Sequence, residues 1–311
     1  MPMDLRQLKY FVTVARERNF TRAAELLHIA QPPLSRQIQQ LEEDLGVTLI
    51  VRSSRPIRLT DAGRLFYEEA QQVLGRVEQM KDAARRVGHG QRRVINIGFV
   101  ASTLYGGLPT VVRRLRQALP DTDVRLVELM SGQQVEALKS GRIDIGFGRL
   151  RTSDTSVERL VLREERLVVA IPPAFPLAGD DAPLSPAELR GQKLIVYPSD
   201  PRPSFADHVL SLLRDHSVRP PEVQEVRELQ TALGLVAAET GICLIPASAR
   251  LQRSDLHYRL VDDERATSPI ILSYRHHEDE ALIGLLKRLI REMYAEKPAW
   301  LDVSYNRLHA P

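Results

Sequence analysis

The chain has 311 residues, 43% hydrophobic and 27% charged, enough length and apolar content for two or three domains with real cores, which excludes a disordered polypeptide. A lone cysteine, Cys243, excludes internal disulfides and thiolate metal clusters; no apolar signal segment or run of ~18 to 20 apolar residues is present, so the reducing cytoplasm is expected and membrane insertion is not. The net charge of +3 is unevenly spread: residues 1–93 carry 16 Lys/Arg against 11 Asp/Glu, and residues 94–311 carry 27 against 29, which favours a basic N-terminal module facing a polyanion. Charge alone fits a solvated surface equally well, and Arg outnumbers Lys 37 to 6 over the whole chain, so arginine richness does not indicate nucleic acid.

Asp4 and Gln7 form a capping box, and Leu8, Phe11, Val12 and Ala15 follow at helical spacing, which predicts a helix over about Leu5 to Arg16. Thr21 is expected to cap a short second helix containing Ala23, Ala24 and Leu27. A third helix has Pro32 in its first turn and stops at Gly46; Leu34, Ile38, Leu41 and Leu45 form its core stripe. Pro32, Ser35, Arg36 and Gln39 cluster on a different face and are of the types that contact phosphates and base edges in a major groove, and Gln31 is a further candidate DNA contact. Thr48 to Arg52, a Ser53-Ser54-Arg55-Pro56 turn and Ile57 to Leu59 complete a winged helix-turn-helix over residues 1–59, with Arg55 at the wing tip for a minor groove.

Thr60 opens a long helix to Val87, residues 60–87, in which Phe66, Ala70, Val73, Val77, Met80, Ala84 and Val87 alternate at spacings of 4 and 3. This seam suits pairing with a second copy, the alternative being a helix lying on its own domain. Gly88-His89-Gly90 then opens a hinge over residues 88–93.

From Val94 short apolar runs alternate with helices: Val94 to Val100, Val124 to Leu129, Ile143 to Phe147, Leu167 to Ile171, Leu194 to Tyr197, Val223 to Val226, Ile242 to Ile245 and Ile270 to Tyr274. The pattern predicts two small parallel sheets, with the chain crossing between subdomains near Val161 to Leu167 and Leu260 to Ile270. Subdomain I takes residues 94–163 and 268–311, and subdomain II residues 164–267. Ligands in such folds sit at the carboxyl ends of strands, where helix N-termini gather. Ser102, Ser131 and the Tyr197 to Phe205 loop lie at three such ends, and Arg149 follows a fourth strand, so together they suit a small anion with more than one carboxylate. The two serines as plain helix caps and Arg149 as a surface side chain is the alternative. No dinucleotide fingerprint, P-loop or metal spacing accompanies them; His276-His277 lacks plausible ligand partners, Cys243 reads as a buried inert thiol, and neither a cofactor nor an enzyme is expected.

The stretches Leu8-Lys-Tyr-Phe-Val, Phe20-Thr-Arg-Ala-Ala-Glu-Leu-Leu-His-Ile-Ala-Gln-Pro-Pro-Leu-Ser-Arg-Gln-Ile, Leu41-Glu-Glu-Asp-Leu-Gly and Leu59-Thr-Asp-Ala-Gly resemble the LysR-type transcriptional regulators over essentially the whole chain. Ile97-Gly-Phe-Val, Gly141-Arg-Ile-Asp-Ile-Gly-Phe-Gly-Arg-Leu, Tyr197-Pro-Ser-Asp-Pro-Arg-Pro-Ser-Phe and Ala232-Leu-Gly-Leu-Val-Ala-Ala look like the regulators of benzoate, catechol and chlorocatechol degradation, which respond to muconates. The resemblance implies an α/β effector domain, residues 94–311, like a periplasmic binding protein with two Rossmann-like subdomains. It further implies a homotetramer arranged as a dimer of dimers, acting as an activator on double-stranded promoter DNA with RNA polymerase as a partner. Ser102, Ser131, Arg149, Pro203 and Phe205 match the positions that line the muconate site in that group. Leu162, Arg163 and Tyr294 look like the lining of a second, benzoate-binding pocket, although Gly106-Gly107 stands where benzoate-responsive members carry bulkier side chains, so that pocket is expected to be looser or absent. Val51 departs from the commoner acidic residue before Arg52. Regulation of an unrelated pathway by another small anion and a solute-binding protein for transport are the competing readings.

Overall fold

The computed structural model describes residues 3–54, 56–88, 92–151, 154–200, 202–276, 278–302 and 304–309, so Arg55, His277 and half of the expected hinge lie outside the described residues. Two compact units emerge, one comprising Met1–Arg93 with Ala137–Arg142, the other Val94–Glu136 with Ile143–Pro311.

In the first unit α1 (Leu5–Glu17) starts on the expected capping box, with Asp4 accepting from the Gln7 amide and Gln7 from the Asp4 amide. The cap of α2 (Phe20–Leu27) is Asn19 and not Thr21: its Oδ1 accepts from the amides of Thr21 and Arg22, and an asparagine oxygen reaches both orphan donors from extended backbone. Helix α3 (Gln31–Leu45) has no side-chain cap; Pro32 and Pro33 fill its first turn, and Gly46 closes it at φ +69°, a conformation that favours glycine. Leu34, Ile38 and Leu41 are fully buried with Phe11, Val14, Ala23 and Ala24, whereas Leu45, the last of the expected core stripe, is 37% exposed because the final turn projects past this core. A two-stranded antiparallel wing follows, β1 (Ile50–Val51) and β2 (Arg58–Leu59), shorter than the sequence runs suggested.

Helix α4 (Asp61–Gly88) ends at the first glycine of the expected break. Its seam divides in two. Phe66 packs edge-on against Phe11 with ring centroids 5.2 Å apart and Ala70 is buried, so the first turns lie on their own domain, whereas Val73 and Met80 further along are exposed, Met80 by 63%.

The second unit continues with β3 (Arg93–Phe99), α5 (Leu108–Ala118), β4 (Thr122–Glu128), α6 (Ser131–Lys139), β5 (Ile145–Gly148), β6 (Val157–Ile171) and β7 (Leu194–Val196). After these come α7 (Phe205–Asp215), β8 (Val223–Glu225), α8 (Leu229–Ala237), β9 (Ile242–Pro246), β10 (His257–Leu260), β11 (Thr267–Arg275), α9 (Glu280–Ala295) and β12 (Asn306–Leu308). The two expected sheets are present, but they are joined through one strand and are mixed, not all parallel. The strands form one hydrogen-bonded path, β4-β3-β5-β11-β6-β9-β7-β8, with β10 and β12 also on β6. Pairing is parallel for β3 with β5 and for β7 with β8 and β9, and antiparallel wherever β6 or β11 takes part. The joint is β6, 15 residues long, because the segment expected to be a crossing connection is itself strand.

Separate cores lie along that strand. Ile95, Ile97, Leu115, Ile145, Leu162, Leu272, Leu286 and Ile290 fill one; Leu167, Val169, Ile171, Leu194, Val209, Leu213 and Leu244 fill a second, and Val168, Ala170, Ile195, Leu233, Cys243 and Ile245 a third on the opposite face of the same strands. The period of two in Leu167 to Ile171 is what divides the last two cores. The C-terminal segment spans both ends of β6: Trp300 and Leu301 belong to the first core, Tyr305 packs on the third, and the Arg250 guanidinium stacks 4.2 Å above the Tyr305 ring.

Candidate functional site

In the first unit the expected groove-reading residues share α3. Gln31, Pro32, Arg36 and Gln39 are exposed and Ser35 is half-buried. What the sequence reading missed is how this face is braced. The Glu42 carboxylate accepts from the amides of Leu49 and Ile50 at 2.8 and 3.0 Å and pairs with Arg52 at 2.8 Å, and Arg52 donates to Ser35 Oγ at 3.2 Å. Glu42 therefore ties the wing to α3, and the Ser35 hydroxyl, already accepting from Arg52, keeps its own proton for another acceptor. The Glu-to-Leu alternation of the Leu41 to Leu45 turn carries no hint of a role seven residues downstream.

In the second unit, Arg149 follows β5 and gathers residues from the ends of three strands and the middle of β6. Its Nε donates to Ser102 Oγ at 2.8 Å, one Nη to Ser268 Oγ at 3.2 Å and the other to Glu165 at 2.8 Å, while its backbone amide donates to Ser131 Oγ at 3.0 Å. Its side chain is only 7% exposed and that of Glu165 1%, so the expected alternative of a surface arginine is set aside. Ser102 sits in the single turn after β3 and Ser131 opens α6. Gln134, buried in the next turn of α6, donates to the carbonyls of Leu129 and Phe147 and fixes that helix start to β5. A side chain at Gly146 would collide with its amide oxygen, which explains why the Gly-Phe-Gly stretch is needed without any dinucleotide.

The hydroxyl chemistry follows directly. Each serine oxygen is engaged as an acceptor by Arg149, so each hydroxyl proton remains to be donated, and two such donors beside a helix N-terminus and a guanidinium suit a carboxylate. Arg149 is itself neutralised by Glu165, so it acts here as the frame that aims the two hydroxyls. Burial alone would raise the Glu165 pKa, yet Arg149, Arg163 and the Ser248 hydrogen bonds outweigh it and hold the carboxyl well below its ordinary value.

Pro203 and Phe205 belong to the other subdomain. Ser204 caps α7, its Oγ accepting from Ala206 and donating to the Pro198 carbonyl, with Asp207 returning to the Ser204 amide. The Phe205 ring lies 5.4 Å from that of Tyr197, and His208 Nε2 sits 2.8 Å from the Thr267 carbonyl, one residue before the Ser268 that holds Arg149. The structure thus joins Ser102, Ser131 and Arg149 by direct hydrogen bonds and brings the first turn of α7 alongside through β11.

Leu162, Arg163 and Tyr294 do line one cavity, with Gly107, Met293 and Phe147 among its other walls, and its volume is about 20 Å³, room for roughly one water molecule. Of the two expected outcomes, looser or absent, the cavity is not the looser one: side chains fill it. A Cβ on Gly107 would meet Met293 and Trp300, and one on Gly106 would meet the Arg163 guanidinium, so these side chains occupy what larger residues would take. Arg163 is held by Asn306 Oδ1 at 2.5 Å, by the Trp300 ring at 4.8 Å and by Glu165 at 3.7 Å. Burial lowers its pKa, an effect Glu165 opposes, and burial pushes that of Tyr294 up to about 12. Strand pairing shifts register between Ile270 and Ile271, a bulge that lets the adjacent Leu162 and Arg163 both point inward. Glu165 and Ser268, directly paired across β6 and β11, were not anticipated; a run of Arg163-Glu164-Glu165-Arg166 breaks the apolar alternation that marks a buried strand.

No cluster of His, Cys, Asp or Glu among the described residues could hold a metal, and no described helix is long and apolar enough to cross a membrane. Cys243 is buried, and burial pushes its thiol far above the ordinary range.

Residues 5–64 match the model of the bacterial regulatory helix-turn-helix protein, lysR family, and residues 88–295 that of the LysR substrate binding domain. Among curated proteins, the chain is 65% identical over 300 residues to a probable cat1 operon transcriptional activator of Acinetobacter lwoffii, covering 96% of this chain and 99% of that one. It is 50% identical to the transcriptional regulator CatR of Pseudomonas putida, covering 93% and 99%. Among solved structures, full-length BenM aligns with TM-score 0.63 and 43% identity over 99% of both chains, and full-length CbnR with its target DNA aligns with TM-score 0.58 and 31% identity over 93% and 99%. The chain belongs to the LysR family of bacterial helix-turn-helix transcriptional regulators.

Proposed function

We propose that this regulator activates an aromatic-compound catabolic operon and senses cis,cis-muconate or a closely related short dicarboxylate through Ser102, Ser131 and the Arg149 frame, with Pro203 and Phe205 completing the cleft. The observation that carries this reading is the pair of seryl hydroxyls, each turned by Arg149 into a dedicated donor at a strand end. The relatives' names point the same way: a cat1 operon activator, and a BenM effector domain solved with its effector benzoate. On the DNA side, Gln31, Pro32, Ser35, Arg36, Gln39 and Arg55 contact the promoter. The exposed Val73 and Met80 of α4 pair with a second copy, and two such dimers form the tetramer that engages RNA polymerase. Inducer binding shifts the population between two arrangements of the effector domains and thereby the spacing of the DNA-binding dimers.

Calorimetric titration of cis,cis-muconate into the full chain tests the effector reading. Binding to the wild type is expected, with Ser131→Ala weakening it about tenfold or more, the worth of a hydrogen bond to a charged group. Equal affinity in the two proteins removes the cleft assignment.

A further inference from the structure

Tyr197 stands immediately after β7, buried to within 8% of its surface, and its hydroxyl is sealed from solvent without a hydrogen-bond partner among the described residues. A buried hydroxyl left unpaired costs ~1 to 3 kcal/mol, so folded proteins rarely leave one without a use. Other polar groups around it are committed. Arg149 is shared among Ser102, Ser268 and Glu165, the Tyr105 hydroxyl accepts from Gln230 at 2.6 Å, and Ser204 is spent on its cap and on the Pro198 carbonyl. The phenol ring packs on Phe205, the first residue of α7, and α7 is tied through His208 to Thr267, next to the serine that holds Arg149. Cys243, Arg149, Glu165 and Tyr105 are the charged or titratable groups that act on the hydroxyl, and burial, the largest influence, keeps it protonated and therefore a donor.

Resting on the proposed effector reading, we infer that Tyr197 is a specificity-determining residue whose hydroxyl donates to the second carboxylate of the inducer, the first being held by Ser102 and Ser131 of the other subdomain. A diacid then bridges the two subdomains: one end is met by two seryl protons, the other by a phenol whose ring packs on Phe205, the first residue of an 11-residue helix. A monoacid of the same skeleton satisfies only the serine end. Tyr197 in this way accounts for a preference between molecules of nearly equal shape, which apolar lining discriminates poorly but an otherwise orphaned donor discriminates well.

The test compares wild type, Tyr197→Phe and Ser131→Ala as full chains by calorimetry with cis,cis-muconate and with its monomethyl ester, alongside the Tm of each protein without ligand. Tyr197→Phe should bind the diacid at least about tenfold more weakly, bind the monoester within about twofold of wild type, and melt no lower than wild type, since only an unpaired hydroxyl is removed. Ser131→Ala should lose affinity for both ligands. If Tyr197→Phe binds muconate as wild type does, or melts lower while losing both ligands equally, Tyr197 is structural and the inference falls while the serine cleft stands. If wild type binds neither ligand, the effector reading falls and takes this inference with it.

Discussion

Glu165 is the residue on which the frame of the proposed effector site depends. It is fully buried between Arg149 and Arg163 and accepts from the Ser248 amide, so it neutralises two buried guanidinium groups at once. Glu165→Gln leaves both cations unpaired in the interior, and a loss of ~3 to 5 kcal/mol in urea unfolding is expected. The pH dependence has a definite sign. Because the folded-state pKa lies below the ordinary 4.5, near 2, the unfolded chain takes up the proton first. The stabilisation is complete above 4.5 and fades as pH falls toward 2. The stability gap between wild type and Glu165→Gln should therefore be smaller at about pH 3 than at about pH 7, and a gap independent of pH would show that the carboxylate charge is not what holds the pair. Ser102, Ser131 and Arg149 could be found in the sequence because each follows an apolar run at a predicted strand end. Glu165 and Ser268 could not, since their roles come from register across β6 and β11, a long-range fact.

At the scale of elements, the helices of the N-terminal unit were legible because caps, prolines and glycine punctuate them locally; the one misplaced cap, Asn19 for Thr21, reflects two equally good capping residues close together. The exposed face of α3 presents Arg36 and Gln39 away from its core stripe, and Arg36→Ala or Gln39→Ala should abolish site-specific protection of promoter DNA in a footprint while muconate binding stays at the wild-type level. Unchanged footprints in both variants would remove α3 from the interface. Helix α4 is less simply read. Its heptads looked uniform, yet Phe66 and Ala70 are used within the domain and Val73 and Met80 are left exposed, so only the later turns are free to pair. Met80→Asp should shift the chain to a smaller species in light scattering, and an unaltered mass would place the dimer contact elsewhere. The sheets were the least legible element. A strand as long as β6, interrupted by four charges, reads as a connection until the partner strands that satisfy it are seen.

For the molecule as a whole, two units are linked in one chain: a basic helix-turn-helix, and an effector unit whose two halves share β6 and β11 and are strapped together by the C-terminal segment from Trp300 to Leu308. That segment holds Arg163 from two sides and pairs with β6 at Arg163, Glu164 and Glu165, so any change in how the subdomains meet must pass through the strand that carries Glu165. An inducer can move such an equilibrium only by binding one arrangement better than the other, and the proposed diacid, spanning Ser102 and Ser131 on one side and the α7 turn on the other, would make that differential contact. The most direct measurement is a footprint of the full chain on its own upstream promoter with and without cis,cis-muconate, run beside Ser131→Ala. Muconate should change the extent or spacing of protection in the wild type and leave that of Ser131→Ala unaltered at the same concentration, whereas protection that muconate leaves unaltered in the wild type, or alters equally in both proteins, would contradict the account.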